Sequence, residues 1–338
     1  MVLSRQFKIV INYFLGPILF IWLAIVIYHQ IQSQNNLNEV FQLWVNSLNG
    51  TNNWNLPVII LLTFFNWAIE AKKWQILLQT IEKTNFWYAY KAILTGQALA
   101  IASPNNIGEF AGRMMYAQEG NRGRSLILNI IASLSQLCIT FFAGVVAVVY
   151  LWKQLPHAFH IVTEILPISL TYFNIIIFAS TLILLLIYYR LSQLTQYFVQ
   201  LPYFRKYSYY FENITHLHWH KLTTVLTYSG FRFVIFLMQY VLMLQLCGVH
   251  APIFQLAAIT ALFFLVLAII PTIAIAEVGI RGVISLQLFG MISNNMIGIL
   301  LAATAIWLMN RVIPAIVGAL FVLNIRLFKK QPNEKIGQ

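Results

Sequence analysis

The chain has 338 residues, of which 60% are hydrophobic and 9% charged. A soluble domain carries about 25% charged residues, so the composition excludes a soluble enzyme and describes a polytopic membrane protein. The 21 basic and 9 acidic side chains, every acid a glutamate, leave a net charge of +12, which suits either a nucleic-acid partner or the lysine and arginine bias of cytoplasmic loops.

A helix needs roughly 20 apolar residues to cross a bilayer. The first such stretch is 10–29, preceded by Arg5 and Lys8 but without a small-residue cleavage site, and it reads as a retained span rather than a signal peptide. The Asn- and Gln-rich stretch 30–56 reads as an outer loop, with a glycosylation sequon at Asn49-Gly-Thr51. A second span covers 57–79 and closes on Glu70, Lys72, Lys73 and Trp74, which read as an interfacial belt. The run 86–113 is apolar, breaks at Ser103-Pro104-Asn105-Asn106, and then carries Glu109 and Arg113. Full spans are expected at 125–151, 167–189 and 221–246, and the loop before the last holds His216, His218 and His220 without further ligands for a metal. A second interrupted run, 253–290, breaks at Pro271-Thr272 and then carries Glu277 and Arg281, before a last span at 296–324. Cys138 and Cys247 lie in apolar runs and support neither a disulfide nor a metal site.

A broken helix exposes backbone polar groups, which the membrane tolerates only inside protein or beside a wet cavity. Each interrupted run therefore reads as a re-entrant hairpin; the alternative, in which 86–102 and 253–275 cross completely, gives eight or more spans. With a cytoplasmic amino terminus and both runs re-entrant, the cytoplasmic side receives Arg5, Lys8, Lys72, Lys73, Lys83, Arg122, Arg124, Arg190, Arg205, Lys206, Lys221, Arg326, Lys329, Lys330 and Lys335, and the outer loops only Lys153. That bias puts both termini in the cytoplasm and accounts for most of the positive charge without nucleic acid.

The two halves, about 1–160 and 161–338, repeat the same order of elements. Glu109-Phe-Ala-Gly-Arg113 returns 168 residues later as Glu277-Val-Gly-Ile-Arg281. Three full spans per half is an odd number, so the second half is expected upside down. The expected fold is an all-α membrane domain over 1–338, without a soluble catalytic domain: two inverted repeats, each of three transmembrane helices and one re-entrant hairpin, six spans and two hairpins in all.

In each hairpin the glutamate and arginine, four apart, share a helical face. The returning helix starts near Asn105 or Thr272 and aims its amino end into the membrane, an environment suited to an anion. Arg232 and Arg311 fall mid-span in helices without an acidic residue. Either they give the membrane centre a surplus of positive charge that a lipid phosphate would balance, or they snorkel or take a glutamate from a neighbouring helix. The candidate substrate-binding set is Arg113, Arg281, Arg232, Arg311, Glu109, Glu277, Asn105 and Asn106; no catalytic residue, metal or cofactor is expected.

Gly96-Gln-Ala-Leu-Ala-Ile-Ala-Ser-Pro104 with Gly108-Glu109 and Arg113 resembles the signature of the transmembrane domain of lysylphosphatidylglycerol synthases and their stand-alone flippase-like relatives. Val278-Gly279-Ile280-Arg281 is similar to that family's second glycine-rich motif, and Ala302 to Arg311 with Pro314 and Gly318 to its last span; Lys73-Trp74 with Leu77-Leu78 also fits. Two departures are that Arg281 is followed by Gly282 where the family has glutamate, and that 129–137 lacks charge. The resemblance implies a bacterial cytoplasmic-membrane protein moving a phospholipid or polyprenyl-phosphate type of lipid between leaflets. It does not carry over the synthase activity, which in the family belongs to a soluble domain beyond the membrane part. The rival readings are an integral membrane enzyme acting on a lipid head group, which would yield a chemically altered lipid, and a non-transporting subunit of a cell-envelope complex.

Overall fold

The computed structural model describes residues 54–103, 106–154, 170–200, 217–270 and 277–323, with isolated positions between Ile18 and Val45 and at Tyr209. Among them there is no strand, in keeping with an all-α membrane protein. The helices are α1 (Asn55–Leu78), α2 (Phe86–Ile101), α3 (Ile107–Tyr116), α4 (Arg122–Gln154), α5 (Leu170–Tyr189), α6 (Leu191–Gln200), α7 (Trp219–Leu246), α8 (Ile253–Ile269), α9 (Glu277–Phe289), α10 (Met296–Trp307) and α11 (Ile313–Val322), with a π-helical turn, Leu308–Val312, joining the last two.

Three continuous helical stretches among the described residues are long and apolar enough to cross a membrane: Glu119–Gln154, Trp219–Leu246 and Met296–Val322. A fourth, Ile175–Tyr189 with Leu191–Tyr197, qualifies as a pair bent by 70°. α1 has the length, at 24 residues, but Glu70, Lys72 and Lys73 fall inside it rather than beyond its end. The expected first span, 10–29, lies outside the described residues except for isolated helical positions. Outward faces carry large apolar side chains, among them Phe64, Phe142, Leu186 and Phe231, as lipid-facing helices do.

Between α2 and α3 the chain reverses. Asn85 caps α2 by accepting from the Tyr88 amide at 2.8 Å, and Ser103 serves the break, donating to the Ala100 carbonyl at 3.1 Å and accepting from the Gly108 amide at 2.7 Å. Asn106 precedes α3 with φ of 59°, the left-handed region that asparagine tolerates better than most residues. The two helices then lie side by side, with Tyr88 at the start of α2 donating to the carbonyl of Tyr116 at the end of α3. Glycines permit this approach: a Cβ on Gly112 would stand against the backbone of Gly96, and one on Gly108 against the Leu99 carbonyl.

α1 and α7 run antiparallel, since Thr63, Asn66 and Lys73 bond Gln239, Arg232 and Ser229 in descending order. α2 packs on α11 and on α1, while α8 packs on α4. The larger core lies among α4, α7, α8, α9 and α10, where Tyr240, Phe263, Phe264 and Phe289 form an aromatic cluster. In the last span Pro314 has no N–H for the Asn310 carbonyl, and the turn over 308–312 is π-helical.

Gly112→Ala is expected to force α2 and α3 apart and to destabilise the protein by about 1–3 kcal/mol. Gly120, with open space around it, is the control: Gly120→Ala should stay within about 0.5 kcal/mol. Denaturant unfolding of the micelle-solubilised variants measures both.

Candidate functional site

On α1 the residues Asn66, Glu70 and Lys73 stand four and three positions apart, a spacing that puts them on one helical face. All three are buried. Glu70 is the centre of the arrangement. Its Oε1 receives Arg113 Nη2 from α3 at 2.9 Å, and its Oε2 faces Lys73 Nζ at 2.8 Å and Arg232 Nη1 from α7 at 3.1 Å. Lys73 also reaches Ser229 Oγ at 3.3 Å and the Ala132 carbonyl at 3.4 Å, and Ser229 is hydrogen-bonded to Ser135 at 2.8 Å. One carboxylate thus ties α1 directly to α3 and α7, and through Lys73 to α4.

The network continues from Arg232. Its Nε donates to Asn66 Oδ1 at 3.0 Å, and Asn66 Nδ2 donates to Asn310 Oδ1 at 3.2 Å in the π-helical turn. The next residue, Arg311, donates to Gln97 Oε1 on α2 at 2.8 Å and to the side-chain oxygen of Asn106 at the chain reversal. Glu109 pairs with Arg113 across one turn of α3. Two guanidinium groups also lie over aromatic rings, Arg113 at 5.5 Å from Trp74, and Arg232 at 5.4 Å from Trp67 and 5.2 Å from Phe236, adding cation–π attraction.

Among the described residues, three cations of this network, Lys73, Arg113 and Arg232, are ion-paired with two carboxylates, Glu70 and Glu109, an excess of one. The two carboxylates also differ in setting: the Glu70 side chain is 2% exposed and that of Glu109 25%. Arg113 Nε has no hydrogen-bond partner among the described residues. A buried guanidinium with unused donor capacity, and a half-open carboxylate beside it, can exchange one anion for another.

Of the residues singled out in the sequence, Arg113, Arg232, Arg311, Glu109 and Asn106 come together here. Arg281 sits on α9. Asn105, Pro104, Pro271 and the Glu277 side chain lie outside the described residues, as do His216 and Asn49.

Two expectations need correction. Glu70 and Lys73 are not solvated side chains at a helix end: both are buried, Glu70 because Arg113 of α3 and Arg232 of α7 converge on it, and Lys73 because Glu70, Ser229 and the Ala132 carbonyl take its ammonium. Arg232 does have a glutamate from a neighbouring helix, the alternative left open above. Sequence reasoning also passed over Asn66, Gln97 and Asn310. The available signal was the Asn66–Glu70–Lys73 face, a polar stripe in an otherwise apolar helix.

A family model described as the lysylphosphatidylglycerol synthase TM region matches residues 9–320. No curated protein matches the chain.

Glu70→Gln takes the charge from the carboxylate that three cations share, and is expected to destabilise the protein by about 3–5 kcal/mol. Glu109→Gln leaves Arg113 its bond to Glu70, and is expected to cost about 0–1 kcal/mol. Unfolding midpoints in micelles distinguish the two.

Proposed function

The chain belongs to the lysylphosphatidylglycerol synthase TM-region family, an integral membrane protein connected with lipid metabolism or transport, and on that premise we propose that it moves an anionic or amphipathic lipid between leaflets. The observation that carries this reading is the set of three cations, Lys73, Arg113 and Arg232, converging on the buried Glu70, with Arg113 also paired to the more exposed Glu109. Unbalanced charge at membrane depth costs about 2.5–3.5 kcal/mol per residue on insertion scales, and a phosphate removes the imbalance. Guanidinium groups hold phosphate bidentately, so Arg113, Arg232 and Arg311 would bind the head group of a phospholipid or polyprenyl-phosphate type of lipid. Glu70 would hold the arginines in place, while Glu109, the more exposed carboxylate, would give way to the phosphate at Arg113. Asn106, with Asn105 beside it, would line the entry at the tip of the first hairpin.

An inverted repeat over 1–160 and 161–338 gives this site two entrances, and several contacts support it. Asn66 and Arg232, 166 residues apart, bond to each other. The same shift carries Lys73 onto Gln239 and Thr63 onto Ser229, and so turns the bond of Lys73 to Ser229 into that of Gln239 to Thr63. The close approaches of Gly318 to Leu94 and of Gly144 to Leu265 are similarly related, each joining a long span of one half to the interrupted run of the other. Because α1 and α7 are antiparallel, the α2–α3 pair and the α8–α9 pair enter from opposite ends. In this reading both pairs are re-entrant, the first from the cytoplasm and the second from outside, within a single domain in the bacterial cytoplasmic membrane with both termini cytoplasmic. Arg281 and Glu277 would serve the outer entrance. Driving force would come from a gradient or from the lipid's own, with no cofactor.

Reconstitution into liposomes with labelled lipids tests the proposal. The protein is expected to exchange phosphatidylglycerol between leaflets without altering it, and Arg311→Ala to abolish exchange while remaining folded in the membrane. Normal exchange by Arg311→Ala would remove the role given to the central arginines, and a chemically changed lipid would favour head-group chemistry instead.

A further inference from the structure

Glu70 and Trp74 stand four positions apart on α1 and share a helical face, so a carboxylate and an indole ring meet Arg113 of α3 from the same face. Arg113 Nη2 carries both of its ion pairs, with Glu70 Oε1 at 2.9 Å and with Glu109. The guanidinium carbon lies 5.5 Å from the Trp74 ring. Two N–H donors are unspent at this contact: neither Arg113 Nε nor the Trp74 indole nitrogen has a hydrogen-bond partner among the described residues. Both residues are buried, Arg113 at 2% exposure and Trp74 at 0%.

A buried donor without a partner costs about 1–3 kcal/mol, and attraction between a ring and a guanidinium does not need one. Phe236 lies 5.2 Å from Arg232 and supplies that kind of contact without an N–H. Trp67, beside Arg232, also has an unspent indole N–H, but Arg232 gives its Nε to Asn66 and its Nη1 to Glu70. Trp307 has one too, and packs among Ile101, Val312 and Ala315. At Arg113 an unspent indole N–H and an unspent guanidinium N–H occur together, next to Glu109, the carboxylate with 25% exposure. The two donors match an acceptor with several oxygens that takes the place of Glu109.

We propose that the Trp74 indole N–H and the Arg113 Nε–H donate to one phosphate group, which makes Trp74 a binding residue of the head-group site. With Glu109 released, Arg113 offers its Nε and one Nη2 hydrogen to two phosphate oxygens, the bidentate arrangement that guanidinium groups favour. The other Nη2 hydrogen stays on Glu70, and Trp74 donates to a phosphate oxygen without adding charge. The donor pair rests on the lipid-transport reading above for its place in a transport step, while its chemistry applies equally to a phospholipid head group and to free phosphate.

Replacing Trp74 by its benzothiophene analogue, in which sulfur stands for the indole N–H, removes the donor and keeps the ring. In neutral-detergent micelles, the affinity of the full chain for short-chain phosphatidylglycerol is expected to fall by about tenfold, the worth of one hydrogen bond to a charged group. The unfolding midpoint should stay the same or rise, and the same replacement at Trp307 should leave the affinity unaltered. Undiminished affinity with the analogue at position 74 would overturn the donor role, since a ring that only packs and holds the guanidinium gives that result. An equal loss from the Trp307 analogue would overturn it as well, because the effect would then not belong to Arg113. Inorganic phosphate, titrated in parallel, separates the sources: weakening of both anions identifies the phosphate group itself, and weakening of one alone identifies the lipid or the free ion as the ligand. Leaflet exchange of labelled phosphatidylglycerol in vesicles keeps the donor role apart from lipid transport. If the unaltered protein exchanges no lipid yet binds either anion, and the Trp74 analogue weakens that binding, the donor role stands and transport does not. If exchange and binding both proceed unchanged with the analogue, transport stands and the donor role is overturned.

Discussion

A carboxylate with three cations around it, inside a chain that has no aspartate and only 9 glutamates, is the constraint on which the rest of the structure depends. Glu70 is too short to reach its partners unless α1, α3 and α7 close on one point. Their approach in turn requires the glycine contact between α2 and α3, and it positions Arg232 to bond Asn66. Removing charge from water is expensive, and ion pairing inside a protein repays this only when geometry and hydrogen bonding are good. Here the lysine ammonium, the two arginines and the serine and asparagine side chains around them supply those bonds. Among the described residues that pair here, three cations still face two carboxylates.

In the proposed function that imbalance is where an anionic head group binds. A network serving stability alone would be expected to reach neutrality, because each unbalanced charge adds to the desolvation penalty without a compensating attraction. The difference in exposure between Glu70 and Glu109 has the same sense. One carboxylate is sealed in among three cations, and the other is the one that, in the proposed function, gives way to a competing anion.

The helices and their breaks were legible in the sequence because both follow from backbone chemistry: apolar runs of bilayer length, and interruptions at Ser103 and near Pro271. Arg113, Arg232 and Arg311 were legible because an arginine in an apolar run is conspicuous. Their partners were not. Glu70 and Lys73 lie close to the end of the expected span, where charges are ordinary, and only the inward turn of that face, set by packing against α7, reveals that they are buried. Gln97 and Asn310 are neutral, and a neutral amide in a helix has nothing in the sequence to say which distant side chain it meets. Arg232 taking its glutamate from α1 is a tertiary contact across 166 residues of sequence, visible beforehand only as an alternative.

The π-helical turn at Leu308–Val312 has a mechanical consequence. Asn310 and Arg311 are neighbours in sequence, but the first is bonded to α1, in the frame of the molecule, and the second to Gln97 and Asn106, on the interrupted run. The last span is therefore coupled to both parts at adjacent residues, and it is so in the turn whose regular hydrogen-bond pattern Pro314 has already relaxed. In a regular α-helix a displacement passes along the rod and disturbs packing at a distance. A wide turn concentrates the compliance at one level, so the tip of the interrupted run can shift against the frame while the helix above and below keeps its contacts.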